Sequence, residues 1–139
     1  MLDDRLGYLL KHAQMALAAR TAESLGPLGI NGRELAVLTV LGAGPALAQQ
    51  QAAAKLNVDR TTMVDLVDAL ERKGLVERRS DPKDRRRNLV HLTALGQKTQ
   101  AEGNRLYQET ERALLTEEDG RDLKRLLRRL LEASTSEES

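Results

Sequence analysis

The fold is decided by one stretch of the sequence, Val58-Asp-Arg-Thr-Thr-Met-Val-Asp-Leu-Val-Asp-Ala-Leu-Glu-Arg-Lys-Gly-Leu-Val-Glu-Arg78. Asp59 is a favoured N-cap residue, and apolar residues then recur at helical spacing from Met63 to Leu70. Gly74 supplies a typical C-terminal stop. We therefore predict a helix from Asp59 to Lys73.

A second helix is predicted immediately before this one. The segment from Ala48 to Leu56 is rich in alanine and glutamine, which are good helix formers. Asn57 and Val58 leave room only for a tight turn, and asparagine tolerates the left-handed backbone that such turns use. Two helices joined in this way have the outline of a helix-turn-helix.

A β-hairpin is predicted after the second helix of the pair. Leu75–Arg79 and Asn88–Leu92 are short β-prone runs, and Asp81-Pro-Lys-Asp84 between them suits a type I turn. Residues 78–87 carry six basic and two acidic side chains, a net charge of +4, whereas the whole chain has only +1. Positive charge is therefore concentrated on this hairpin.

The remaining helices frame this central part. Leu2 to about Leu25 reads as an amphipathic helix, and Asn31 with Glu34 forms a predicted capping box for the next one. Thr93 caps a long polar helix from Ala94 to Leu115, and a final helix follows from Thr116 through Leu131. We expect a single domain, residues 1–139, with residues 134–139 disordered.

Composition excludes several classes of function. The chain has no cysteine, which removes thiolate chemistry and sulfur-ligated zinc, and its two histidines lie in no catalytic or metal-binding pattern. Only Tyr8 and Tyr107 are aromatic, which argues against base-stacking modules for single-stranded nucleic acid. We predict no enzyme activity, no cofactor and no metal. The absence of cysteine, of a long apolar run and of a basic signal-like start favours the cytoplasm.

The order of helix pair, hairpin and long helix resembles the MarR family of bacterial transcriptional regulators. The most specific similarity is residues 58–78 followed by Asp84-Arg-Arg86 and by Leu92-Thr93 with Gly96. The resemblance implies a mainly α fold with a small β-hairpin, a winged helix-turn-helix over residues 31–93. Residues 1–25 and 94–133 are then dimerisation helices. Ala48, Ala52 and Asn57 depart from the family's usual cap, leucine and glycine at these places.

The helix from Asp59 is the predicted recognition helix, which enters the major groove and presents its first residues to base edges. Arg60 can bind guanine with two hydrogen bonds, and Thr61 or Thr62 can contact a phosphate or a thymine methyl. Asp65 and Asp68 either pair with Arg72 or Arg60 along the helix or restrict which base pairs are accepted. The predicted major-groove residues are Asp59, Arg60, Thr61, Thr62 and Asp65.

The basic hairpin is the predicted wing. An arginine on a hairpin tip can enter a narrow, A·T-rich minor groove, and the resemblance assigns this role to Arg86. Asp84 would hold Arg86 by a salt bridge before DNA arrives. The other arginines of the segment would be phosphate contacts or supports. The full set of predicted wing residues is Arg78, Arg79, Lys83, Asp84, Arg85, Arg86 and Arg87.

Two further sites are predicted outside the DNA-binding part. The family commonly binds small phenolic or anionic effectors between its dimer helices and the winged domain, and Tyr8, His12 and Met15 are the candidate residues. Leucines of the terminal helices form apolar stripes suited to a homodimer interface. The predicted interface residues are Leu6, Leu9, Leu123, Leu126, Leu127 and Leu130.

The predicted function is sequence-specific binding of double-stranded DNA by a ligand-responsive repressor. Its homodimer would recognise a pseudo-palindrome with half-sites about 10 bp apart. The alternative is a winged-helix scaffold that binds protein or RNA through its basic hairpin.

Overall fold

The computed structural model describes residues 1–136, which form one mainly helical domain with a small antiparallel sheet. Short 3-10 helices at Leu2–Asp4 and Gly26–Leu28 accompany the main elements. In chain order these elements are α1 (Leu6–Leu25), α2 (Gly32–Gly42), β1 (Leu47–Ala48), α3 (Gln49–Leu56), α4 (Arg60–Arg72), β2 (Val76–Asp81), β3 (Asp84–Leu92), α5 (Ala94–Leu114) and α6 (Glu117–Ser136).

The predicted capping box at the start of α2 is confirmed. The Glu34 amide donates to Asn31 Oδ1 over 2.9 Å, and the Asn31 amide donates to Glu34 Oε1 over 3.1 Å. Glu34 is buried, and its other carboxylate oxygen accepts from Lys73 Nζ at 2.7 Å. One carboxylate therefore caps α2 and ties it to the end of α4.

The helix-turn-helix also forms as predicted. Asn57 ends α3 in the left-handed conformation, with φ of 53°, and Asp59 caps α4. Ala48 precedes α3 without a side-chain cap, but its amide donates to Gln51 Oε1 over 2.8 Å. The glutamine therefore satisfies the backbone amide of Ala48, although no Ser or Thr side chain caps the first turn of α3.

The core lies where α2, α4 and the sheet meet. Its fully buried side chains are aliphatic or methionine, so the domain packs without large aromatic residues. Burying each such side chain contributes about 1.5–3 kcal/mol. The largest of them are Leu25, Leu38, Met63, Leu70, Val37, Val67, Val76 and Val90.

The sheet has three strands in the order β1-β3-β2, and the sequence prediction of a bare hairpin missed β1. This strand has only two residues, pairing Leu47 with Val90 and Ala48 with Leu89, which is too short to show a period-two pattern. The hairpin strands also extend further than predicted, because Asp81 still pairs with Asp84 and only Pro82 and Lys83 form the tip. Most of the basic segment is therefore strand.

Two predicted ends need correction. The first helix does not run unbroken from Leu2, because Arg5 is extended, with ψ of 135°, and α1 begins at Leu6. At the other end, α6 continues through Ser136, so residues 134–136 are helical rather than part of a disordered tail. The rest of that predicted tail, residues 137–139, lies outside the described residues.

Gly96 allows α5 to dock closely on the winged part. The Thr93 amide donates to the Leu75 carbonyl over 3.0 Å, and the Thr93 hydroxyl donates to the Gly74 carbonyl over 2.7 Å. A Cβ atom added at Gly96 would lie 1.9 Å from the same Leu75 oxygen. Only glycine fits this junction without a backbone shift.

No helix within residues 1–136 combines the length and the apolar character that crossing a membrane requires.

We predict that Gly96→Ala destabilises the fold by about 3 kcal/mol, since its Cβ would overlap a backbone carbonyl that cannot rotate away. Urea unfolding followed by circular dichroism measures the change. Gly44→Ala is the matched control, because a Cβ there meets nothing within 4 Å. We expect the control to stay within about 0.5 kcal/mol of the starting protein, and an equal loss in both variants would contradict the close approach.

Candidate nucleic-acid interface

The first turn of α4 is exposed and ordered by its own cap. Asp59 accepts hydrogen bonds from the amide of Thr62, over 3.1 Å, and from the Thr62 hydroxyl. The Thr62 hydroxyl first and the Thr62 amide second hold the pKa of Asp59 below its usual range. Both side chains are therefore engaged with each other, and Arg60, Thr61 and Asp65 are the predicted reading residues that stay exposed around them.

Of the two alternatives left open for Asp68, pairing with Arg72 or Arg60 along α4 is wrong. Its carboxylate accepts from Arg78 on β2 at 2.7 Å and makes no ion pair with Arg72 or Arg60. Asp65 makes no ion pair within residues 1–136 and stays exposed. The α4 surface beside the reading turn is therefore linked to the wing rather than to itself.

The hairpin tip is held by a buried carboxylate. Asp81 accepts from the Lys83 amide over 2.9 Å and from Arg87 Nε over 2.8 Å, and its side chain is only 7% exposed. The Lys83 amide, and after it Arg87, lower the pKa of Asp81 from its usual value. The carboxylate thus stays ionised and keeps the turn closed at neutral pH.

Arg86 projects from the wing, and its predicted salt bridge with Asp84 is confirmed. Asp84 Oδ1 accepts from Arg86 Nε at 3.2 Å and from the Arg86 amide at 3.1 Å. The Arg86 side chain is nevertheless 92% exposed. The aspartate restricts the arginine's orientation while leaving its outer nitrogens accessible.

Acidic partners compensate most of the wing's positive charge. Arg78 pairs with Asp68 and Glu71, Arg79 with Glu77, Arg86 with Asp84, and Arg87 with Asp81. Of the basic residues predicted for the wing, Lys83 and Arg85 make no ion pair with any residue in the range 1–136. The +4 sum over residues 78–87 therefore overstates the field, since Asp68, Glu71 and Glu77 lie outside that window.

A cleft of about 330 Å³ separates the wing from the start of the two helices. Arg60, Arg78, Arg86 and Arg87 all line it, so α4 and the wing share one concave surface. Gln49 and Gln50 at the start of α3 also line it, and sequence reasoning missed them. A run of three glutamines at 49–51 indicates helix propensity and carries no separate signal of a surface role.

The candidate effector residues lie far along the chain from this cleft, on one face of α1. The rings of Tyr8 and His12 are stacked with centroids 4.0 Å apart, and Met15 is 53% exposed. A second cleft of about 220 Å³ lies between α1 and α5, but it is lined by residues such as Arg20 and Thr110 rather than by these three.

Most predicted interface leucines are exposed in the single chain. Leu127 is the exception, being partly buried. No described residue of α6 is buried, although its leucines repeat at helical spacing. A helix with an apolar face open to water on this scale is typical of an interface. The exposed predicted residues are Leu6, Leu9, Leu123, Leu126 and Leu130.

Comparison with known sequences identifies relatives of the DNA-binding part. The MarR family model matches residues 28–87. A protein of Thauera aromatica, assigned as a transcriptional regulatory protein for the hcr operon, is 37% identical over 92 residues, 66% of this chain. The chain spans about half the length of the curated relatives it matches, 52% of the Thauera protein and 42% of an HTH-type transcriptional regulator of Bacillus subtilis.

Solved structures match over nearly the whole chain. The transcriptional repressor CouR bound to a 23-mer DNA duplex is 33% identical, with a TM-score of 0.84, over 96% of this chain and 94% of its own. CouR from Rhodococcus jostii RHA1 bound to p-coumaroyl-CoA is 25% identical, with a TM-score of 0.81 and 94% coverage of both chains. The winged helix-turn-helix and the flanking helices are thus shared as one arrangement.

Proposed function

This chain belongs to the MarR family, and on that premise we propose that it is a DNA-binding transcriptional regulator that acts as a ligand-responsive repressor. The start of α4 would occupy a major groove while the wing reaches the flanking minor groove. Its work would be binding, without catalysis. A role on chromosomal DNA would place it in the cytoplasm.

The observation that carries this proposal is the shared cleft between α4 and the wing. Arg60 and Arg86 both line it, Arg60 from the first turn of α4 and Arg86 from β3. An exposed arginine on each element suits reading by one in the major groove and by the other in the minor groove. The DNA complex of CouR, which has the same arrangement of helices and wing, supports this reading.

We propose further that two copies associate through α1 and α6. Leu126 is 51% exposed and Leu130 is 41% exposed, on a helix with no buried residue. Covering such a stripe with a second copy buries apolar area and sets two α4 helices on one duplex. Paired reading helices fit a pseudo-palindromic site.

A small phenolic or anionic effector is the third part of the proposal. Support comes from the p-coumaroyl-CoA complex of the Rhodococcus CouR and from the stacked Tyr8 and His12 pair on α1. A tyrosine ring stacked on an imidazole can hold a phenolic ring and offer its acidic group a hydrogen-bond donor.

The DNA-binding proposal is tested by three alanine variants on a randomised duplex library at two salt concentrations. We expect the starting protein to enrich one pseudo-palindromic site. Arg60→Ala should lose about 1–3 kcal/mol at one base pair in each half-site. Arg86→Ala should lose affinity in proportion to the A·T content of the flank.

Arg79→Ala is the control, since this side chain is 62% exposed and suits a phosphate contact. It should weaken all sequences equally and reduce the salt slope by about one unit. Uniform losses in all three variants would mean that the segment is only a basic patch. If the starting protein enriches no sequence from the library, the proposed function is contradicted.

The dimer is tested by Leu126→Glu with Leu130→Glu. Charges in the stripe should convert dimer to monomer in light scattering and drop operator affinity toward the non-specific range of about 10⁻⁴–10⁻⁶ M. Leu95→Glu adds one such charge at an exposed leucine on α5 and should leave the dimer intact. A double variant that stays dimeric would show that the interface lies elsewhere.

The effector is tested by thermal unfolding with a panel of phenolic acids. A ligand of the folded state at 100 times its Kd adds about 2.7 kcal/mol to stability and raises Tm. We expect His12→Ala to reduce that rise, with Lys55→Ala as the control at an exposed residue of α3. No shift with any acid, or an equal shift in His12→Ala, would contradict the site.

A further inference from the structure

Arg78 connects three elements of the DNA-binding part. Its Nε atom donates to Gln49 Oε1 over 2.8 Å, at the first residue of α3. Its two terminal nitrogens donate to Asp68 Oδ1 over 2.7 Å and to Glu71 Oε1 over 3.0 Å, both on α4. The Arg78 amide also donates to Glu71 Oε2 over 3.3 Å. One side chain on β2 therefore bonds to both helices of the helix-turn-helix.

The surroundings of Arg78 differ from those of a phosphate contact. Its side chain is 21% exposed, against 92% for Arg86 and 62% for Arg79. Each guanidinium nitrogen already has an acceptor, and two of the acceptors are carboxylates that neutralise its charge. A phosphate would have to displace these partners, and breaking their hydrogen bonds costs free energy that binding to an exposed arginine does not.

The location of these contacts decides what Arg78 can control. Arg78 pairs with Val90 on the central strand, so it sits within the ladder that leads out to the wing tip. Asp68 and Glu71 lie on the same helix as Arg60. A planar fork that joins the ladder to this helix fixes the rotation of the wing relative to α4.

We propose that Arg78 is a positioning residue that sets the offset, in base pairs, between the major-groove bases read by α4 and the A·T flank read by the wing. This inference rests on the proposed DNA-binding function. It assigns Arg78 a share of specificity although the residue touches no base.

The test measures this offset in the sites that each variant enriches from a randomised duplex library. Arg78→Lys is the decisive variant, because it keeps the charge but cannot bond three acceptors in a plane. We expect its preference for the best offset over one shifted by a base pair to fall about fivefold or more, the size of one specific contact. Its salt slope should stay within about half a unit of the starting protein, since no phosphate contact is lost.

A second variant leaves Arg78 in place and removes its partners. Asp68→Asn with Glu71→Gln takes two negative charges away from the DNA-facing surface, so affinity for every duplex should rise at low salt. The offset preference should fall, as in Arg78→Lys, because the fork has lost its charged acceptors. If Arg78 instead contacts a phosphate once its partners are removed, affinity should rise while the offset preference stays unchanged, and that result would contradict the proposal.

Arg79→Gln is the matched control on the next residue of β2. It should lower affinity and salt slope while keeping a single preferred offset. Each variant must first show a cooperative melting transition, which establishes that it folds. Arg78→Lys and the double variant of Asp68 and Glu71 are independent tests, so either one is sufficient if the other does not fold. If the starting protein enriches a site and the variants keep its original offset, the positioning role of Arg78 is wrong but the proposed DNA-binding function stands. A starting protein that enriches no site would overturn the proposed function with it.

Discussion

Burial of one face of α4 is the constraint on which the rest of the structure depends. Met63 and Val67 are each 1% exposed and Leu70 is fully buried, so the helix cannot rotate without leaving the core. The same packing fixes which residues of its first turn face outward. Arg60 and Thr61 are exposed because Met63 is not. The aspartate cap at Asp59 then supports the first turn, whose residues Arg60 and Thr61 are exposed.

Charge pairing fixes the orientation of the wing's arginines and weakens the wing's long-range electrostatic field. Four of its arginines are held by aspartate or glutamate, and two of those carboxylates come from α4. Neutralised arginines attract DNA weakly at long range but keep fixed directions, which reduces the entropy lost when they bind. Specific geometry at the groove, rather than bulk attraction, is the property that this arrangement favours.

The sequence was sufficient for features that depend on neighbouring residues. The Asn31 and Glu34 capping box, the left-handed Asn57, the Asp59 cap and the Asp84 to Arg86 bridge all span at most three positions. It failed where partners are distant along the chain. The Asp68 to Arg78 and Glu34 to Lys73 pairs join separate elements, and β1 exists only because β3 lies beside it. Such contacts follow from the fold, so no local pattern predicts them.

The long helix α5 links the two halves of the molecule through glycine contacts. At Gly96 the helix meets the Leu75 carbonyl, and at Gly103 an added Cβ would lie 2.7 Å from Leu35 Cδ1 on α2. With no side chain between the surfaces, α5 cannot slide over the winged part without opening these contacts. α5 ends at Leu114, and after the extended Leu115 the chain enters α6, whose leucines are exposed. In the proposed dimer, a change in how two copies meet at α6 would reach the winged part through α5, which touches that part closely at both glycines.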